Sequence, residues 1–170
     1  MEVAVPEGPK KDLLHVPASE GQSVWIGADI YTLKATKETT GGSLSLMEVS
    51  VPPGDGPPPH VHSNEDEGIY VLAGELEFFT DGRTFLAGPG DFVFVPRGTV
   101  HALRNVGVHP GKTLTMYTPG GMDRYFAGVG TPAEPGVPPA PQMSPEQLQK
   151  AMGLAQEYGL EVRLPEGGPQ

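Results

Sequence analysis

From Ser23 to Pro119 the chain is written in short apolar runs with period-two alternation, each closed by glycine, proline or a polar turn. Side chains at i and i+2 share a face of an extended strand, so this pattern predicts strands. "SVWIGADIYTLKAT" (23–36) holds two β-prone runs split by Gly27-Ala28-Asp29. "SLSLMEVSV" (43–51) holds one more, and its apolar parity shifts between Leu46 and Met47, which predicts a bulge or burial on both faces. In "IYVLAGELEFFTDGRTFLAG" two runs meet at Asp81-Gly82, a pair suited to the positive φ angles of a tight hairpin. "GDFVFVP", "VHALRNV" and "TLTMYTP" follow as further strands. Many turn-punctuated strands without helices between them predict an antiparallel sandwich or barrel.

The period changes after residue 119. "GVGTPAEPGVPPAPQM" reads as a proline-rich connector on the surface. "SPEQLQKAMGLAQEYG" carries helix signals: Ser144 as cap, Pro145 at the first position, Gln147 to complete a capping box, Gly159 to terminate. Leu148, Met152, Ala155 and Tyr158 form a stripe at helical spacing, predicted to dock on the chain's own barrel. "EVRLP" is expected to add an edge strand. One domain is expected: an N-terminal arm and first strands over 1–42, a barrel core over 43–118, a mouth-covering segment and connector over 119–143, and a helix and tail over 144–170.

Composition narrows the chemistry. The 170 residues include 24 Gly, 20 Pro and no Cys, which excludes disulfides, thiolate metal sites and a cysteine nucleophile. The net charge of −10 disfavours nucleic acid and anionic membrane as partners, since both need a basic surface. The N-terminal segment has no apolar run of the kind a signal peptide or membrane anchor needs, so a cytoplasmic location is expected. No phosphate-loop, dinucleotide-binding or nucleophile-elbow pattern is present.

Two of the five histidines stand one residue apart in "PPHVHSNEDEG". On a strand His60 and His62 share a face, and if Glu67 opens the next strand facing inward it meets them across the ladder. Two imidazoles and a carboxylate suit Fe, Mn, Co, Ni or Zn. Glu65 and Asp66 read as the acids of a solvated turn. His101 begins a strand in a distant part of the chain and would add a third imidazole if it faces inward. His15 and His109 read as surface residues, Arg97 as an exposed corner, and Asn105 as a backbone-bonding residue.

The two stretches have the form Gly54-x5-His60-x-His62-x4-Glu67-x6-Gly74 and Gly90-x5-Pro96-x-Gly98-x2-His101-x3-Asn105. They resemble the two signature motifs of the cupin superfamily, with every motif position filled, over about residues 43–118. The resemblance implies an all-β double-stranded β-helix (jelly-roll) barrel with a C-terminal α-helix. It also implies one divalent transition metal held by His60, His62, Glu67 and His101, with room for exchangeable ligands. Within that family the wording "PPPHVHSNEDEGIYVLAGELEF" and the layout of the tail are similar to quercetin 2,3-dioxygenase-like cupins. That likeness implies a metal-dependent dioxygenase acting on a phenolic, flavonol-like or enol substrate, with dioxygen as co-substrate and Glu67 as both ligand and proton acceptor. The alternatives are a non-catalytic small-ligand-binding module and a metal-dependent isomerase or decarboxylase. Alternation turns Ile69, Val71 and Leu103 inward; an apolar wall of this kind suits a hydrophobic ligand or simply fills a small barrel. Phe126 is a candidate lid residue or core packing. Jelly-roll edges need covering, and a homodimer is expected to cover them through a swapped N-terminal strand or the C-terminal helix.

Overall fold

The computed structural model describes residues 12–163, so the arm at 1–11 and the tail at 164–170 lie outside the described residues. The strands are β1 (Gln22–Ile26), β2 (Asp29–Ala35), β3 (Ser45–Val51), β4 (His60–His62), β5 (Asp66–Ala73), β6 (Leu76–Thr80), β7 (Arg83–Ala87), β8 (Phe92–Val95), β9 (His101–Asn105) and β10 (Gly111–Thr118). Helix α1 (Met122–Val129), the short β11 (Thr131–Pro132), helix α2 (Pro145–Ala155) and β12 (Leu160–Val162) complete the order.

They form two antiparallel sheets, one ordered β11-β1-β2-β3-β10-β5-β8 and the other β12-β4-β9-β6-β7. The fold is a double-stranded β-helix. Alternation decides what each sheet buries: on β2 the inward file is Asp29, Tyr31, Leu33 and Ala35, and on β3 it is Ser45, Met47, Val49 and Val51. The expected irregularity near Leu46 lies instead in the partner strand, where the β2–β3 register slips between Leu33 and Ala35 while β3 alternates regularly. The Asp81-Gly82 hairpin forms as expected, with φ of 45° and 75°.

Close approach explains two of the glycines. Gly56 has φ 147°, and a Cβ there would stand 2.1 Å from the Leu103 carbonyl oxygen. Gly74 has φ 86°, and its Cβ would meet the Gly111 backbone at 2.6 Å. A side chain at either position would force the loop at 52–59 or the β5–β6 turn off the barrel.

Helix α1 closes one side of the core. Phe126 stacks on Tyr31 with ring centroids 4.5 Å apart, and Met122 and Val129 are fully buried beside Val24 and Met47. Its first turn is tied by Asp123, which accepts the Lys37 amide at 3.0 Å and the Ser45 hydroxyl.

Helix α2 docks differently from the sequence expectation. Half of the predicted stripe docks: Ala155 and Tyr158 pack against the core with Leu154, while Leu148 and Met152 stay 47% and 71% exposed and the most buried residues are Gln147 and Ala151. The reason is polar. The Gln147 side chain accepts the Gly27 amide at 3.0 Å and donates to the Trp25 and Val129 carbonyls at 2.8 and 3.3 Å. The β1–β2 hairpin has unmet backbone groups, and they select the face of the helix that carries an amide. Ser144 caps the Gln147 amide as predicted, but the Gln147 side chain is spent on the hairpin and closes no capping box. The edge strand expected at "EVRLP" forms as β12 over Leu160–Val162, paired to β4, and Leu164 and Pro165 lie outside the described residues.

Asn105 joins the loop, β3 and β9 at one end of the barrel. Wholly buried, it donates to the Val51 and His109 carbonyls at 2.9 and 2.8 Å and accepts the Gly107 amide at 2.9 Å. Asn105→Ala strands all three groups and is expected to cost about 2–4 kcal/mol. Urea unfolding measures this, and a loss below about 0.5 kcal/mol would show that the three bonds are dispensable.

Candidate metal centre

The first histidine pair sits on β4, a three-residue strand whose side chains are all buried. β4 meets β9 through the single pair His60–His101. Glu67 lies elsewhere, near the start of β5 in the other sheet. The expectation that Glu67 faces the histidines across one ladder is therefore corrected: the carboxylate reaches them across the barrel, from sheet to sheet. The turn at 63–65 carries the chain over that gap, and β5 pairs with β10 and β8 instead of β4.

The four donor groups of His60, His62, Glu67 and His101 lie within 4.8 Å of one another, and all four residues are buried. Ligands on opposite sides of a metal with ~2.1 Å bonds are about 4.2 Å apart. The set thus closes on one ion with small side-chain shifts.

Hydrogen bonding prepares the imidazoles for that role. His60 Nδ1 donates to the Pro58 carbonyl at 2.8 Å, and His101 Nδ1 donates to the Thr99 carbonyl at 3.0 Å. A carbonyl can only accept, so each Nδ1 carries the hydrogen and each Nε2 is the inward donor atom. His62 has both ring nitrogens buried without a hydrogen-bond partner. Its Nε2 is 3.5 Å from Glu67 Oε2, close enough for charge attraction but lacking hydrogen-bond geometry. A buried imidazole with neither nitrogen satisfied is costly unless a cation takes one of them.

Glu67 Oε2 is 2.7 Å from His101 Nε2, and Oε1 accepts the Tyr117 hydroxyl at 2.9 Å. Burial pushes the Glu67 carboxyl up, but the His101 hydrogen bond and the charges of His62, His101 and His60 outweigh it and hold it down at about 2. Burial opposes charge on His101 as well, yet the bond to Glu67, its charge and the Thr99 carbonyl raise that imidazole above its usual value. His62 is lowered to about 4, chiefly by burial. Desolvation, aided by His101, lowers His60 too. The pocket holds one fixed negative charge facing two neutral imidazoles, a donor set of N and O atoms for a borderline divalent metal.

The remaining predicted residues divide. Ile69 is buried with Val71, Leu76, Phe78 and Ala87, while Phe126 belongs to the cluster of Tyr31, Met47 and Tyr117. Leu103 packs against both clusters. Arg97 is exposed and paired with Asp66 at 3.0 Å. Glu65 departs from expectation: it is buried, its Oε2 has no hydrogen-bond partner, and desolvation raises its pKa to about 7. Asp66 takes the bonds of Arg97, which leaves Glu65 turned under the chain near Gly121.

Tyr117, which no motif of the sequence marks, also belongs to the site through its hydroxyl bond to Glu67. The strand "TLTMYTP" gives its inward parity, but its place opposite Glu67 depends on the β10–β5 register, where Tyr117 pairs with Glu67.

Comparison with known proteins fits this geometry. The family description "Cupin domain" matches residues 47–117. The quercetin 2,3-dioxygenase of Bacillus subtilis is 31% identical over 117 residues, covering 69% of this chain and 34% of that protein. The protein named polyketide synthase CurC in Streptomyces cyaneus is 31% identical over 94 residues, covering 55% of this chain and 60% of that one. The chain thus spans between a third and two thirds of the length of these relatives. Among solved structures, a predicted oxalate decarboxylase from Thermotoga maritima superposes with TM-score 0.58 at 23% identity, over 62% of this chain and 99% of that one. An RmlC-like cupin from Shewanella frigidimarina superposes with TM-score 0.56 at 20% identity, over 68% of this chain and 99% of that one. Both show the fold. No helix among the described residues is long and apolar enough to cross a membrane.

The Tyr117 hydroxyl orients the carboxylate without occupying the site itself. Tyr117→Phe is expected to weaken divalent-metal binding by about tenfold while leaving the stoichiometry at one, as outer hydrogen-bond partners of metal ligands do. Chelator competition with Co, Ni and Zn checks it. Unchanged affinity would mean that the barrel wall alone aims Glu67.

Proposed function

Since this chain is a member of the cupin superfamily, we propose that its barrel is a metal-dependent dioxygenase for phenolic, flavonol-like or enol substrates. His60, His62, Glu67 and His101 are the proposed ligands of one divalent transition metal, drawn from Fe, Mn, Ni, Co and Zn. The observation that carries this reading is the convergence of three buried imidazoles and one carboxylate, two of the imidazoles held by carbonyls in the Nδ1–H form. The match to a quercetin 2,3-dioxygenase over 69% of the chain supports the choice of reaction.

When bound, the metal supplies Lewis-acid stabilisation of an enolate and the electronic partner that dioxygen needs. The protein's own groups do the rest. Glu67 is placed to take the proton of an acidic substrate hydroxyl, since Oε2 faces the histidines while Oε1 is held by Tyr117. Ile69, Leu103 and Phe126 are the proposed apolar wall against which a flat ring would lie, with water excluded from the reacting edge. A dioxygenase places both oxygen atoms in the substrate, so no external reductant is required.

The isomerase or decarboxylase reading would gain from a basic side chain buried beside the metal to hold an anionic acid or sugar. The buried polar residues described include Asp, Glu, His, Asn, Gln, Ser and Thr, but no Lys or Arg. That observation favours an uncharged or phenolic ligand. A homodimer belongs to the same reading, supported by Tyr70, Leu72, Phe92 and Phe94, which stand exposed on β5 and β8 where a second copy would cover them.

The test is dioxygen uptake by metal-stripped protein reloaded in turn with Fe, Mn, Co and Ni, with quercetin as substrate. Uptake matched by loss of the flavonol absorption is expected, falling at least a hundredfold in Glu67→Ala. Tight binding of a metal without uptake on any of the four would overturn the dioxygenase assignment.

A further inference from the structure

We propose that a second copy of this chain docks on the side of the barrel formed by the edge strands β7 and β8. In that dimer β8 lies antiparallel to its own copy, about a twofold axis at Val93. The proposal takes the homodimer above as its premise and is independent of the reaction assigned to the barrel.

Each sheet has two ends, and the sequence treats them differently. One sheet ends in β11, the dipeptide Thr131-Pro132, and the other in β12, where Glu161 stands between Leu160 and Val162. A proline or a charge is an ordinary means of stopping a strand edge from taking a partner. The opposite ends are less guarded. β8 reads Phe92-Val93-Phe94-Val95, with neither charge nor proline. β7 keeps its one charge, Arg83, at the hairpin turn and places Phe85 and Leu86 beyond it.

These two open ends lie on one side of the barrel. Ile69 and Val71 of β5 share a cluster with Phe78 of β6 and Ala87 of β7, and Val93 packs against it. Only residues 88–91 connect β7 to β8. The seam between them is not closed from within. Phe85 stacks on the buried Phe78 with ring centroids 5.4 Å apart and so belongs to the inner face, yet it is 42% exposed. Leu86, Phe92 and Phe94, on the outer faces of the same two strands, are each 58% exposed.

Backbone pairing fixes the register. The Val71 amide donates to the Asp91 carbonyl at 3.0 Å, and β5 and β8 continue antiparallel through the pairs Ile69–Val93 and Glu67–Val95. Bonded positions alternate in such a ladder, so Phe92 and Phe94 turn their N–H and C=O groups to the free side. That edge is symmetric about Val93. A second β8 with Val93 opposite Val93 sets Phe92 against the partner's Phe94, and the two outward residues of each copy then answer each other's backbone groups.

The occupant follows from the need to cover both edges at once. A single peptide strand would pair with β8 and leave β7 bare. A twofold axis normal to the sheets brings β8 to β8 in one layer and β7 to β7 in the other, so a copy of the barrel covers both. The area agrees. Four large apolar side chains, each about half exposed, offer roughly 400 Å² per copy. Apolar atoms make up about 60% of an interface, which implies about 650 Å² per copy. Specific complexes bury about 600–1,000 Å² per partner.

The chain has no cysteine, so one introduced thiol reports contact with a second copy. Val93 would meet its copy as a non-hydrogen-bonded pair with Cα atoms about 4.5 Å apart, within reach of a disulfide. Val93→Cys in the full chain is expected to give a covalent dimer under mild oxidation. Met152→Cys, on the exposed face of α2, is expected to stay uncrosslinked. Phe94→Lys places a charge on the free edge and is expected to weaken the dimer about a hundredfold by sedimentation equilibrium. A wild-type dimer that keeps its affinity in Phe94→Lys, or that crosslinks at Met152→Cys and not at Val93→Cys, overturns the edge interface and leaves the homodimer standing. A wild-type chain that sediments as a monomer at about 100 μM overturns both.

Discussion

A carboxylate buried among three imidazoles is the constraint on which the rest of this barrel depends. Glu67 comes from one sheet and the histidines from the other, so their meeting fixes how far apart the sheets stand and which ends face each other. A buried anion is tolerated only when every lone pair is answered. Here one oxygen takes the His101 ring and the other the Tyr117 hydroxyl, while His62 adds attraction at 3.5 Å. Each of these partners is placed by a strand register that the core packing must keep. Slipping β10 against β5 by one residue would turn Tyr117 outward and leave Glu67 half answered.

Local pattern carried much of this into view. The His-x-His spacing has one meaning on a strand, namely a shared face, and the inward parity of Ile69 and Val71 follows from Glu67 by counting in twos. The Asp81-Gly82 turn needs no tertiary information either, because the two positive φ angles belong to the dipeptide. What stayed hidden is whatever depends on which strand lies beside which. The sequence places Glu67 five residues after His62 without saying that the chain changes sheets between them. Tyr117 looks like any inward aromatic until the β10–β5 register sets it against Glu67.

The helix shows a second kind of limit. Leu148 and Met152 form the more apolar stripe, and hydrophobic periodicity alone favours burying it. The observed face is rotated so that it buries an amide beside Ala151, Leu154 and Ala155 and leaves Leu148 and Met152 outside. Three backbone groups around the β1–β2 hairpin and the end of α1 need partners, and Gln147 meets all three. When leftover backbone groups compete with one or two apolar contacts, satisfying them decides the outcome, because a stranded buried group costs more than an exposed methionine does. Periodicity cannot reveal this, since it records the helix's preference and not its dock's needs.

The distribution of met and unmet polar groups then separates scaffold from site. Asn105, Asp123, Ser45 and Gln147 are buried and hydrogen-bonded, and each ties a loop or helix to a strand. His62, Asp29 and Glu65 are buried as deeply, yet each keeps an atom without a partner. His62 belongs to the candidate metal centre, Asp29 opens β2, and Glu65 lies in the turn before β5. For His62 the surrounding donor set accounts for the missing partner, since a cation held among the four side chains would take one of its ring nitrogens.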